Sequence, residues 1–251
     1  MTPTTNGGTC ERRGWAVVTG ATGEIGSVVA EQLGRDGHDV IVQCFRKVER
    51  AEQVAAATER HGGRAVVVRA NFAAAGAACA FVEEVRAITG EVRTLVAAAA
   101  SGVMRPVAEL SERHWDWTMS VNVRSLATLV SQLRPVATVA LSSAGASRAV
   151  AGYAAVGASK AAMEALVRSL AVELAPAGRV NALCVGLMDS PAARLLPDAV
   201  QVLDDMRDRT PLGRLVTAQD VAQAITWMLS DDASMLTGAT VVLDGGRSIL
   251  L

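Results

Sequence analysis

The sequence predicts an α/β fold built on a doubly wound parallel sheet, and three observations carry that reading. Short β-rich runs alternate with longer Ala-rich helical stretches from near residue 15 to the end of the chain, the order expected when βαβ units feed one sheet. The β runs are continuously apolar rather than alternating, as in strands covered on both faces. A glycine-rich turn follows the first run directly and opens a helical stretch, so the first βα unit has the form that places phosphates on a helix N-terminus.

Taken in order, the first strand is read at 15–19 (WAVVT) and the glycine turn leads into a helix at 24–34. A strand at 38–43 precedes a helix at 48–61, and a strand at 65–69 precedes a helix at 74–89. The fourth strand, 94–98, feeds a long helix at 109–133, and the fifth, 136–141, feeds a helix at 153–175. After a sixth strand at 180–185 the alternation is broken over 186–212, where Pro191, Pro197 and Pro211 divide the chain into short pieces. This segment is expected to be a small substrate lid. A helix at 218–229 and a last strand at 240–243 close the series. With no linker and no internal repeat, a single domain is expected over 1–251, with 1–13 flexible.

Composition narrows the function. The formal net charge of −1 and the scattered Lys and Arg residues give no basic field for nucleic acid. No apolar run reaches the roughly 20 residues of a membrane span, and the first residues lack a signal peptide's apolar stretch, so a cytoplasmic protein without a membrane partner is expected. Cys10, Cys44, Cys79 and Cys184 form no CxxC pair and have no His at ligand spacing. They read as free thiols, and no metal site is expected.

The turn reads Thr19-Gly20-Ala21-Thr22-Gly23-Glu24-Ile25-Gly26. Its glycines let backbone approach a pyrophosphate where a side chain would collide, which is the signature of a Rossmann-type dinucleotide site. At the end of the second strand an acidic residue would bind the ribose hydroxyls of NAD and repel the extra phosphate of NADP. Here the sequence is Gln43-Cys44-Phe45-Arg46-Lys47, two cations and no carboxylate. NADPH is therefore the expected cofactor, with Arg46 on its 2′-phosphate.

These residues resemble the short-chain dehydrogenase/reductase family over nearly the whole chain. The stretches 100–106 (ASGVMRP), 114–119 (HWDWTM) and 244–248 (DGGRS) are similar to the FabL-type NADPH-dependent enoyl-acyl-carrier-protein reductases. In ketone-reducing members a tyrosine precedes the active-site lysine by four residues; here Tyr153 precedes Lys160 by seven, and Val156 occupies the ketoreductase position. That spacing implies enoyl chemistry. Tyr153 is also the chain's sole tyrosine.

The resemblance implies that Tyr153 hydrogen-bonds the thioester oxygen of a 2-enoyl substrate and that Lys160 holds the nicotinamide ribose. If the helix is continuous, the two share a face two turns apart. Ser143 matches the family's serine, ten residues before Tyr153, and is expected to contact substrate without its usual tyrosine partner. Asn122 matches the asparagine that distorts a helix and helps hold the lysine through water. Asn71 and Phe72 fall near the adenine, and Gly20, Thr22, Gly23, Glu24, Ile25, Gly26, Ala98 and Gly186 complete the implied cofactor site. For Asn71, Asn122 and Ser143, local capping is an alternative of equal standing. His114, Trp115 and Trp117 read as helix packing rather than chemistry.

Three departures stand out. Glu24 occupies a position where single-domain members usually carry glycine, and its carboxylate would face phosphate. The usual Asn-Asn-Ala after the fourth strand is Ala97-Ala98-Ala99, removing two amides that tie strands to the cofactor region. The connection through Arg134-Pro135 is short. The implied partners are an acyl thioester or related small molecule, on CoA or an acyl carrier protein, and further copies of the chain in a homo-oligomer, dimer or tetramer. Two other functions stay open: a carbonyl reductase of the same fold, and a non-catalytic cofactor-binding protein.

Overall fold

The computed structural model describes residues 12–190, 193–195 and 198–250. Seven strands make one parallel sheet in the order β3-β2-β1-β4-β5-β6-β7: β1 Trp15–Thr19, β2 Asp39–Cys44, β3 Ala65–Arg69, β4 Val92–Ala97, β5 Ala137–Ser143, β6 Arg179–Val185 and β7 Thr240–Leu243. Helices cover both faces, as the continuously buried runs WAVVT and DVIVQC require. One core forms beneath α1 (Glu24–Arg35), α2 (Val48–Glu59) and α8 (Ala218–Leu229). The other forms beneath α3 (Ala77–Thr89), α5 (Ser125–Leu133) and α6 (Ala154–Leu174). Strand order reverses between β1 and β4, which opens a crevice beyond their carboxyl ends.

Three elements differ from the sequence reading. The helix expected at 109–133 is α4 (Glu112–Met119), a π-helical turn (Ser120–Arg124) and then α5. Hydroxyls of Thr118, Ser120 and Ser125 bond back to carbonyls four residues earlier, the kind of back-bonding that loosens a helix, and the wide turn carries Asn122 inward. The helix expected from Tyr153 starts at Ala154, so Tyr153 is its N-cap and stands outside the regular turn.

The third difference lies in the expected lid, which contains a further helix, α7 (Ala199–Asp208). Its proline-flanked sequence hides an amphipathic stretch whose Leu203 is buried. Met188, near the start of the segment, forms a parallel bridge to Val216 just beyond its end. Pro191 and Pro197 lie outside the described residues, as do Cys10 and most of the leader expected to be flexible. Cys44, Cys79 and Cys184 are free thiols. Among the described residues no helix is long and apolar enough to cross a membrane.

Candidate active site

The turn after β1 is fixed by close approach. Gly20 has φ +64°, and a Cβ there would lie 2.7 Å from the Cα of Ala99 on the loop after β4, so a side chain is excluded on both counts. Gly23 donates to the Gly20 carbonyl at 2.9 Å, and Gly26 packs its first helical turn against that same carbonyl. Gln43 braces the turn from β2. Its Oε1 accepts from Gly20 N at 2.7 Å, while its Nε2 donates to the carbonyls of Ala70 and Cys44 at 2.9 and 3.0 Å.

This amide changes the meaning of the missing Asn-Asn pair. Gln43 ties β1, β2 and the end of β3 together from the opposite side, and the Thr19 hydroxyl accepts from Ala99 N at 3.1 Å. The small Ala99 leaves room for Gly20. Gln43 is nearly fully buried with both amide atoms satisfied. A polar residue inside the apolar run VIVQC was the signal that could have marked it.

Above the turn lies a cleft of about 1320 Å³. Of the residues expected at the cofactor, Gly20, Thr22, Gly23, Arg46, Asn71, Phe72 and Ala98 line it. Glu24, Ile25, Gly26, Lys160 and Gly186 stand outside its wall. The unpaired first amides of α1 follow Gly23 directly. At the β2 end Arg46 and Lys47 face the cleft, with the Arg46 guanidinium 5.0 Å from the Phe45 ring centroid.

Two adenine-side residues also have structural duties. Asn71 Oδ1 accepts from Ala73 N at 3.2 Å, and the Phe72 ring meets Phe81 edge-on at 5.4 Å in the core. Gly186 lies against Asp244, where a Cβ would come within 2.8 Å of the Asp244 side chain. Glu24 is exposed at the start of α1. Partial burial and then the charge of Asp189 raise its carboxyl above the ordinary range, against the pull of Arg194.

The four residues expected to carry chemistry are brought to the C-terminal end of β5. Tyr153 Oη lies 3.3 Å from Ser143 Oγ. Ser143 therefore does have a tyrosine partner, contrary to the expectation from spacing: the loop before α6 swings Tyr153 back over the strand end, and its ring seats against Gly145 and Gly157. Val156, at the ketoreductase position, packs instead against Gly102.

Lys160 is buried, and its Nζ donates to the Leu141 carbonyl at 2.6 Å. Burial pushes its pKa down to about 8, with Glu164 acting in the opposite direction. Asn122 donates to the Ser101 carbonyl at 2.9 Å and to Ser159 Oγ at 2.8 Å, and accepts from Ser101 N at 2.8 Å. It thus joins the loop after β4 directly to Ser159, the residue before Lys160. Ser101 and Ser159 were not picked out from the sequence, because their role exists only through Asn122. His114 accepts from Ser111 N at 3.2 Å and caps α4, and with Trp117 it also lines the cleft, so the two are more than the helix packing expected of them.

With this geometry in hand, comparison with known proteins gives the class. A family model described as "Enoyl-(Acyl carrier protein) reductase" matches residues 20–248. The chain belongs to the short-chain dehydrogenase/reductase family. Among its relatives is the 1-cyclohexenylcarbonyl-CoA reductase of Streptomyces collinus, 34% identical over 250 residues, covering 96% of this chain and 89% of that one. Another is the 3-oxoacyl-[acyl-carrier-protein] reductase FabG of Staphylococcus aureus, 30% identical over 92% of this chain and 96% of that protein. The solved structure of angucycline C-6 ketoreductase LanV with bound NADP superposes with a TM-score of 0.86 at 25% identity, covering 95% of this chain and 97% of that one.

Proposed function

We propose that this chain is an NADPH-dependent reductase of the C2=C3 double bond of an enoyl thioester, linked to CoA or a carrier protein, working as a cytoplasmic homo-oligomer. The observation that carries the reading is the seven-residue step from Tyr153 to Lys160 with Val156 packed away at the intervening position. The cyclohexenylcarbonyl-CoA reductase relative supports a thioester substrate.

The cleft fits the cofactor: the bare backbone of Gly20 and Gly23 lines it beside the first amides of α1, and Arg46 and Lys47 supply charge for a 2′-phosphate. Gly20, Thr22 and Gly23 would hold the pyrophosphate, and Lys160 the nicotinamide ribose. When bound, the reduced nicotinamide supplies a hydride. The chain's own residues stabilise what that transfer produces. Tyr153, steadied by Ser143, would donate to the thioester oxygen as negative charge grows there, where a fixed donor contributes most. Asn122 holds the Ser101 loop against α6, so that the wall of the site keeps its shape.

The Ser143–Tyr153 contact favours a second reading, carbonyl reduction, since a hydroxyl pair suits a ketone oxygen equally; FabG and LanV are reductases of that kind. The test is loss of NADPH absorbance with a short 2-enoyl thioester beside a 3-keto thioester. Enoyl turnover alone is expected. Keto turnover alone would replace the first reading with the second.

A further inference from the structure

Three consecutive residues at the end of β5 serve one cluster. The Leu141 carbonyl takes the Lys160 ammonium, the Ser142 hydroxyl donates to Glu164 Oε1 at 2.5 Å, and the Ser143 hydroxyl meets Tyr153. Glu164 stands four residues beyond Lys160 on α6, hence one turn along the same face. The other elements leave it alone in this role. On β6, Cys184 pairs in register with Ser142, and its thiol is pushed up to about 11 by burial, then by Glu164 and Asp244, so it is uncharged at neutral pH. Asp244, beyond β7, is engaged by the amides of Gly246 and Ser248. Arg148, on the loop before α6, bears on Cys184 and Asp244 and donates to the Ser248 carbonyl. Among the described residues, Glu164 is the one carboxylate that acts on Lys160.

A buried ammonium with a single carbonyl partner tends to lose its proton unless an anion opposes the loss. We propose that Glu164 is a positioning residue that keeps Lys160 charged for cofactor binding, with Ser142 as the clamp that fixes the carboxylate. The proposal rests on the reading that Lys160 binds the nicotinamide ribose. Glu164→Gln separates charge from shape, because the amide keeps the volume and still accepts from Ser142 while losing the charge.

The experiment is NADPH titration by tryptophan fluorescence from pH 6.5 to 9.5, with folding checked by circular dichroism, on wild type, Glu164→Gln, Ser142→Ala and Lys160→Met. Wild-type affinity is expected to fall with a midpoint near 8, the pKa of the buried lysine. In Glu164→Gln the midpoint moves to lower pH by at least about 0.5 unit, with affinities converging at the acidic end. Ser142→Ala shifts it in the same direction by less, which keeps the proposal testable if Glu164→Gln does not fold. An unmoved midpoint in a folded Glu164→Gln, or a loss of affinity equal at every pH, overturns the proposal and leaves the cofactor reading standing. Unchanged affinity and pH profile in Lys160→Met overturns both.

Discussion

Tyr153 gains its place from what surrounds it rather than from the helix it precedes. Its ring needs the bare faces of Gly145 and Gly157, and its hydroxyl needs Ser143 at the strand end. Removing only the hydroxyl tests the oxygen contact. Tyr153→Phe should lower kcat at least about 100-fold while NADPH affinity stays within about twofold, read by turnover and by fluorescence titration. An unchanged kcat would remove Tyr153 from the reaction. Arg46→Ala addresses the other end of the cleft: NADPH affinity should fall about tenfold, the loss of one charge-assisted hydrogen bond, with NADH affinity little changed. Equal losses for both cofactors would take Arg46 off the 2′-phosphate. Spacing and local chemistry single out both residues in the sequence. Gln43 was not, since its partners Gly20 and Ala70 lie 23 and 27 residues away and meet it only once β1, β2 and β3 are side by side.

At the scale of elements, the π turn between α4 and α5 does what a regular helix could not. It turns Asn122 into the interior, where one amide satisfies both backbone groups of Ser101 and the Ser159 hydroxyl. Asn122→Ala strips the half-buried Ser101 backbone groups of their side-chain partner and the Ser159 hydroxyl of its donor, at a cost of about 2 kcal/mol. The melting temperature should drop by about 5 °C, and kcat should fall with it as the Ser101 loop loosens. A variant that melts like wild type would show that the loop is held by other contacts. The sheet was readable and so were six helical stretches, one of them running through both α4 and α5, because a buried strand announces itself by a continuous apolar run and a helix by its longer Ala-rich stretch. The π turn was invisible, as SVNVR keeps helical periodicity through it. Helix α7 was masked by flanking prolines, which sequence logic assigns to loops, and α6 began a residue late because the Tyr153 backbone, at ψ 11°, already leaves the helical region.

Across the whole molecule, one acid-sensitive pin stands apart from the site. The cleft and the Tyr153 cluster lie at the carboxyl ends of the strands, as do Asp220, paired with Arg214, and the amide-held Asp244, whereas Asp39 is pinned at the amino end of β2. There Asp39, nearly buried, accepts from Arg64 through its backbone amide and guanidinium and from Arg12 at 3.0 Å. Burial alone would raise its pKa, but the bonds to Arg64 and the charge of Arg12 hold it below the ordinary 3.8. Its contribution is thus full above the unfolded value and disappears as pH falls through the folded one. The neighbouring His38, bonded through Nδ1 to the Gly14 carbonyl, is lowered from 6.5, chiefly by burial. The folded state therefore binds fewer protons than the unfolded chain below about pH 6.5, and stability declines as the solution is acidified from there. Urea unfolding followed from pH 8 to 3 should show a shallow loss beginning near 6.5 and a steeper one below about 4. Asp39→Asn should cost about 2 kcal/mol at pH 7 and flatten the steeper phase, because the neutral amide cannot titrate. NADPH affinity at pH 7 should not change in this variant, since no residue of the pin reaches the cleft. A parallel loss of cofactor binding would mean that strain at the amino end of β2 travels up the strand to Gln43 and the glycine turn, and that the two ends of the sheet are coupled.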